Sequence, residues 1–211
     1  LPSMQEKERQ IIQGAAHVFM KYGVKSVNMD DVARNLGVSK KTLYKYVTDK
    51  NDLLRKSLAC HHEHEQSSID EIFSKGQNAI DEMFEMSKFI TGMLSKLHPS
   101  IHFDLEKYHP EVWNEMKDKR NSSVYNCVFQ NLEKGKAEGL YRENLNSEVI
   151  TEIYISKMDI LFDGEIFPPE KISFSEVYKE FFRYHIRGVA SKTGREYLIQ
   201  KMNPEIHNKS N

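Results

Sequence analysis

The sequence predicts an all-α fold: a small three-helix head containing a helix-turn-helix, followed by a larger helical body. Three observations predict it. Apolar residues recur at three- and four-residue spacing through most of the chain, and no stretch alternates with a period of two. Glycines, prolines and small capping residues fall where those periods stop. The 211 residues, 39% apolar and 29% charged, suit one large folded domain or two modest ones rather than a disordered chain.

Taken in order, SMQE at residues 3–6 has the form of a capping box. Ile11, Ala15, Val18, Phe19 and Tyr22 follow at helical spacing until Gly23, a left-handed stop. Asn28 precedes a short apolar pattern of Met29, Val32, Ala33 and Leu36, closed by Gly37. Ser39 is placed to cap the next short helix, in which Leu43 and Val47 face inward. Asp49, with Asp52 three residues on, opens a longer helix through Leu53, Leu54 and Leu58. Further helices are expected over about 77–97, from Pro110 to Gly139, and over about 147–163 with a stop at Gly164. A loop with Pro168 and Pro169 then leads to a last helix over about 174–192. The expected division is a head of residues 1–50 and a body of residues 51–211.

The net charge of −1 hides an asymmetry. Residues 1–58 carry eleven Lys and Arg against six Asp and Glu, a balance of +5, whereas the remainder carries nineteen against twenty-five, a balance of −6. A basic head on an acidic body implies that only the head meets a polyanion. No apolar run approaches the ~18 residues that span a bilayer, and LPSMQEKERQ has no signal-peptide core. Leu1–Ser3, ahead of Met4, reads as a cloning remnant. Cys60 and Cys127 lie far apart and outside any CxxC pattern, which fits a reducing cytoplasm rather than a disulfide framework. No GxSxG, no phosphate-cradling glycine loop and no nucleophile–base pair stands out, so neither catalysis nor a cofactor is expected.

The chemistry concentrates in GVSKKTLYKYVTDK, residues 37–50, where four lysines, two tyrosines and two threonines surround Val38, Leu43 and Val47. Ala33 lets the two short helices approach closely, and Gly37 takes the positive φ that turns the chain between them. With Leu43 and Val47 inward, Lys40, Lys41, Thr42, Tyr44, Lys45 and Tyr46 remain on the outer faces or at the helix N-terminus. That end of a recognition helix enters the major groove, and its dipole favours phosphate. Lysines attract phosphate and donate to guanine, hydroxyls fix register, and a threonine methyl touches a thymine methyl. Lys50, at the start of the next helix, is placed to hold a flanking phosphate. Taken alone, a lysine-rich face is equally an ordinary solvated surface, and Tyr44 and Tyr46 are equally packing residues. The joint spacing of cap, alanine, glycine and hydroxyls favours nucleic acid.

IIQGAAHVFMKYGVKSVNMDDVARNLGVSKKTLYKYVTDKNDLL, residues 11–54, resembles the DNA-binding head of the tetracycline-repressor (TetR) family of bacterial transcription regulators. The matching features are AAHVF then KYG, MDDVARNLGVSKKTLYKYV and DKNDLL, with Val47 where many members carry phenylalanine. The resemblance implies a homodimer whose two recognition helices read successive major grooves of a palindromic double-stranded operator. It implies that Thr42, Tyr44, Tyr46 and Lys50 contact phosphate or bases, and that Lys40, Lys41 and Lys45 set the operator sequence. Asn28, opening the first helix of the pair, is counted with them. It also implies a small-molecule effector that releases a repressor from DNA.

In the body, Phe174, Val177, Tyr178, Phe181, Phe182, His185 and Val189 line one face of the last helix, with Tyr184 and Ile186 on its flanks. The preceding helix carries Ile150, Ile153 and Ile160 on one side and Ile155, Met158 and Phe162 on another. Two adjacent helices with two apolar faces each need more than one partner, which pairing with a second copy as a four-helix bundle supplies. Burial inside a larger monomer is the alternative. The expected dimer residues are Ile155, Met158, Phe162, Tyr178, Phe181, Phe182 and His185. Met83, Phe84, Met86, Phe89, Met93, Phe103, Tyr108, Trp113 and Met116 gather adaptable apolar side chains as a candidate pocket for a hydrophobic or aromatic effector, although such a stripe is equally plain core. His61, His64 and Glu65, within HHEHE at 61–65, have the spacing of a metal chelate on one helix face. A metal-sensing regulator, or more remotely a metal-dependent enzyme, is the alternative function they would support; a solvated helix exterior is the simpler reading. His98 and His102, four apart, are read as surface in the same way.

Overall fold

Ten α-helices and no β-strand make up the described residues, 4–168 and 170–202, of the computed structural model. They are α1 (Met4–Tyr22), α2 (Met29–Asn35), α3 (Lys40–Leu43), α4 (Lys50–Ser74), α5 (Ala79–Leu94), α6 (Ile101–Tyr108), α7 (Pro110–Ala137), α8 (Ser147–Leu161), α9 (Phe174–Val189) and α10 (Lys192–Met202). The all-α expectation is met. The Ser3 cap and Pro169 lie outside the described residues.

Local hydrogen bonding accounts for most of the helix ends. Gly23, Gly37 and Gly139 have positive φ, the conformation that the end of a helix uses to release the chain. Asn28 and Asp31 form a reciprocal capping box on α2, and Asp49 accepts from the Asp52 amide at 2.8 Å at the start of α4.

Three places differ from the sequence reading. Helix α6 was not expected, because its inward face holds only Ile101, Asp104 and Leu105, and a buried carboxylate interrupts the apolar period. Helix α8 ends at Leu161, and Gly164 is not left-handed. The last helix is two: Ala190 turns extended (φ −61°, ψ 135°) and bridges to Tyr141, and the Ser191 hydroxyl accepts from the Gly194 amide at 3.0 Å to start α10.

The helices group into two units that do not follow chain order. Residues up to 68 join with 96–121, and residues 69–95 join with those from 122 onward. In the first, Ile11, Ala15 and Phe19 of α1 bury with Val32 and Ala33 of α2, Leu43, Val47, and Leu53 and Leu54 of α4. Leu105 of α6 and Trp113 of α7 complete that core. In the second, Ile80 and Met83 of α5 pack with Leu132, with Tyr154 and Leu161 of α8, and with Tyr178, Phe182 and Ile186 of α9. A buried polar knot lies beside them: Glu82 is ion-paired with Lys134 and accepts from the Asn131 amide, while Asn131 Oδ1 accepts from the Tyr141 hydroxyl at 2.9 Å. Every member has a partner, which is the condition for such a knot to hold the packing rather than weaken it.

Candidate nucleic-acid interface

The head is positioned by its own backbone. Gly37, at φ +63°, sends the chain out of α2, and the Val38 amide returns to Ala33 O at 3.0 Å. Ala33 is buried at that crossing, where a larger side chain would separate the helices. Ser39 then accepts from the Thr42 amide at 3.0 Å, and its hydroxyl lies 2.9 Å from that of Thr42. Leu43 and Val47 are buried as expected.

This packing sorts the candidate contacts. Lys40, Lys41, Tyr44 and Lys45 are exposed together, with Tyr44 43% accessible. Thr42 is half-buried beside them, and Tyr46 packs partly on the core, so it is a support as well as a surface. Helix α3 is one turn long, and the chain continues through Tyr46 in tighter turns, Lys45 N to Thr42 O and Tyr46 N to Leu43 O. Four residues align too few peptide dipoles for a strong helix-terminus field. Attraction for phosphate therefore rests on the lysine charges and on hydroxyls.

Three candidates are already engaged. The Lys40 ammonium lies 3.0 Å from Asp30, an exposed pair that solvent and phosphate compete with readily. Asn28 Oδ1 is committed to the Asp30 and Asp31 amides, which leaves its amide nitrogen to offer outward. Lys50 donates to the Val24 carbonyl at 2.6 Å, and burial lowers its pKa below the ordinary lysine value.

The other candidate sets divide. Of the proposed pocket residues, Met83, Phe84, Met86, Phe89 and Met93 share α5 in the second unit, whereas Phe103, Tyr108, Trp113 and Met116 belong to the first. Trp113 is core there, Phe103 is 56% exposed, and Tyr108 lies under Lys25 and Lys107. In the second unit a groove of about 440 Å³ runs between α5 and α9, floored by Phe84, Phe182 and Ile186 and rimmed by Lys88, Lys179 and Arg183.

Of the dimer candidates, Met158, Tyr178 and Phe182 are buried within the protomer, Phe182 edge-on to Phe84 at 5.2 Å. Ile155, Phe162, Phe181 and His185 are half-buried. Ile186, read as a flank, is core at 1% exposure; Val149, Ile153 and Ile160 of α8 and Tyr184 of α9 are left outside. The buried row of α8 runs through Thr151, Tyr154, Met158 and Leu161, which polar Thr and amphipathic Tyr concealed in the sequence.

The metal alternative loses its ligand set. His61 pairs with Glu65 at 3.0 Å, the next nearest partner of Glu65 is His62, and His64 points to solvent. Among the described residues no three His, Cys, Asp or Glu side chains converge to hold a metal ion. Nor is any helix among them long and apolar enough to cross a membrane.

An internally capped helix-turn-helix carrying an outward row of lysines and a tyrosine is the head of a DNA-binding regulator. Residues 11–56 match the sequence model of the bacterial regulatory proteins of the tetR family. Residues 11–56 are thus the DNA-binding head of a TetR-type transcriptional regulator. Solved structures share the fold at low identity. A TetR-family regulator from Cytophaga hutchinsonii superposes with a TM-score of 0.68 at 13% identity, over 91% of this chain and 99% of that one. A proposed transcriptional regulator from Saccharomonospora viridis, in complex with choline, gives 0.70 at 12%, over 90% and 100%. The regulator FadR from Bacillus subtilis, in complex with stearoyl-CoA, gives 0.65 at 16%, over 86% and 98%. No curated protein matches the chain by sequence.

Proposed function

We propose that this regulator acts in the bacterial cytoplasm as a homodimeric, effector-released repressor of a palindromic operator. The observation that carries DNA reading is the exposed row of Lys40, Lys41, Tyr44 and Lys45 on a turn whose every buried neighbour is fixed. Lys41 and Lys45 supply charge to phosphate or guanine, and Thr42 and Tyr44 supply hydroxyls that set register. Pairing of two copies is supported by the apolar stripe of Val149, Ile153, Ile160 and Tyr184, which a lone protomer leaves in water. Phe181 and His185 border that stripe and are kept as interface residues.

An effector with an apolar body and an anionic end suits the α5–α9 groove, where aromatic walls meet a lysine and arginine rim. The choline and stearoyl-CoA of two similar folds make a small-molecule effector the natural regulator of such a body. Its action is binding, with no chemical step. It releases DNA only by as much as it prefers the state that DNA does not.

The test is fluorescence anisotropy with duplexes selected by the protein from random sequence, against unrelated competitor at physiological salt. Retention against competitor, with Tyr44→Ala weakening binding about tenfold, is the expected result. Equal, salt-labile binding to both DNAs would remove the sequence-specific reading.

A further inference from the structure

Lys50 is expected on a DNA phosphate, yet its ammonium is turned inward. It donates to Val24 O at 2.6 Å, in the short turn between α1 and α2. That turn is itself gripped by α6. Asp104, 5% exposed, accepts from the Val24 amide at 3.2 Å, from the Lys25 amide at 2.9 Å and from the Ser100 hydroxyl at 3.0 Å. All three bonds fall on one oxygen, Oδ2. Gly23, at φ +83°, lets the chain lie this close, since a Cβ there would come 3.0 Å from Ser100 Oγ. The grip joins residues about eighty apart in sequence within one unit.

Charge follows the same path. The Asp104 carboxylate attracts the half-buried Lys50 ammonium, with Asp31 adding to the attraction, while the His109 ring faces Lys50 and hydrogen-bonds Asn51. A phosphate must draw Lys50 away from both a carbonyl and a buried carboxylate.

We propose that Asp104 is a positioning residue for DNA binding: it fixes the Val24 carbonyl and holds Lys50 back from the phosphate. This rests on Lys50 being a DNA contact, and the experiment separates the two claims.

Because the hydrogen bonds share one oxygen, Asp104→Asn keeps them and removes only the charge. Binding to the selected duplex is measured over a salt series for the wild type, Asp104→Asn, Lys50→Met and the double variant. Lys50→Met weakens binding and lowers the salt slope by about 0.9, one phosphate contact. Asp104→Asn binds up to about fivefold tighter, because the carboxylate attracts Lys50 across the turn without pairing with it directly. In the Lys50→Met background that gain disappears. A gain that persists there, or no gain at all, overturns the positioning role while leaving Lys50 on DNA. An unchanged slope in Lys50→Met removes the contact and the proposal with it. Independently of any variant, the Lys50 ammonium protons in the free wild-type protein exchange more slowly by nitrogen-15 NMR than those of exposed Lys41. Equal exchange overturns the inward hold.

Discussion

The two units bury their apolar residues to different degrees. The large side chains that the first leaves in water are all aromatic: Tyr22, Tyr44, Phe103 and Tyr108. Three of these carry hydroxyls, and Lys107 lies 5.0 Å above the Phe103 ring. The second unit exposes branched aliphatics instead, Val149, Ile153, Ile160, Ile166 and Ile199, with Tyr184 beside them at 77%. Aliphatic surface gains nothing from water, whereas a tyrosine has a polar end for it. The first unit presents groups for a polar partner. The body is left with a stripe that a second apolar surface would cover.

The largest expected effect breaks that contrast on the body side. Ile153→Glu with Ile160→Glu raises the dimer dissociation constant at least about 100-fold, since two charges would be buried without partners. Sedimentation velocity reads the shift to monomer, while the melting of the protomer changes little because both positions are exposed. A dimer that survives both changes pairs through another face.

On the head side, Leu43→Ala removes a fully buried side chain and costs about 3 kcal/mol. Trp113, the chain's single tryptophan, lies in the same core, so its fluorescence in a denaturant titration follows this unit. Equal loss in a body-specific probe would mean that the units melt together.

A pH effect is expected in the body. Burial lowers the His185 pKa from 6.5 to about 4, with its ring edge-on to Tyr154 at 4.8 Å. The unfolded chain therefore takes the proton first. The stability carried by neutral His185 is complete above about pH 6.5 and is lost as pH falls from there toward 4, a change of about 3 kcal/mol. His185→Gln flattens that part of the stability–pH curve; an identical curve would place the titration elsewhere.

The smallest effect sharpens the head. Asn28→Ala removes one half of the α2 capping box and costs about 1 kcal/mol, read by chemical denaturation. Because the same residue is a candidate DNA contact, a loss of affinity beyond that shared by a second cap variant, Ser39→Ala, would separate contact from capping.

Much of the head was legible in the sequence because its signals are local. Asn28, Gly37 and Ser39 act on amides within a few residues, and Ala33, Leu43 and Val47 follow one helical period. The body was less legible. The periods of α8 and α9 each allow two faces, and only packing decided that Ile186 goes inward while Ile153 stays out. Helix α6 escaped notice because its key inward residue, Asp104, is charged, and its partners are amides about eighty residues away.

By itself, then, the sequence determined most of the helices, the caps of the helix-turn-helix and the basic TetR-type head, since each depends on neighbours a few residues apart. The tertiary structure alone decided which apolar face is core, that HHEHE gathers no three metal ligands, and that Lys50 is held inward. Those outcomes depend on which distant groups share a space, and a helical period states that a face is apolar without stating what will cover it.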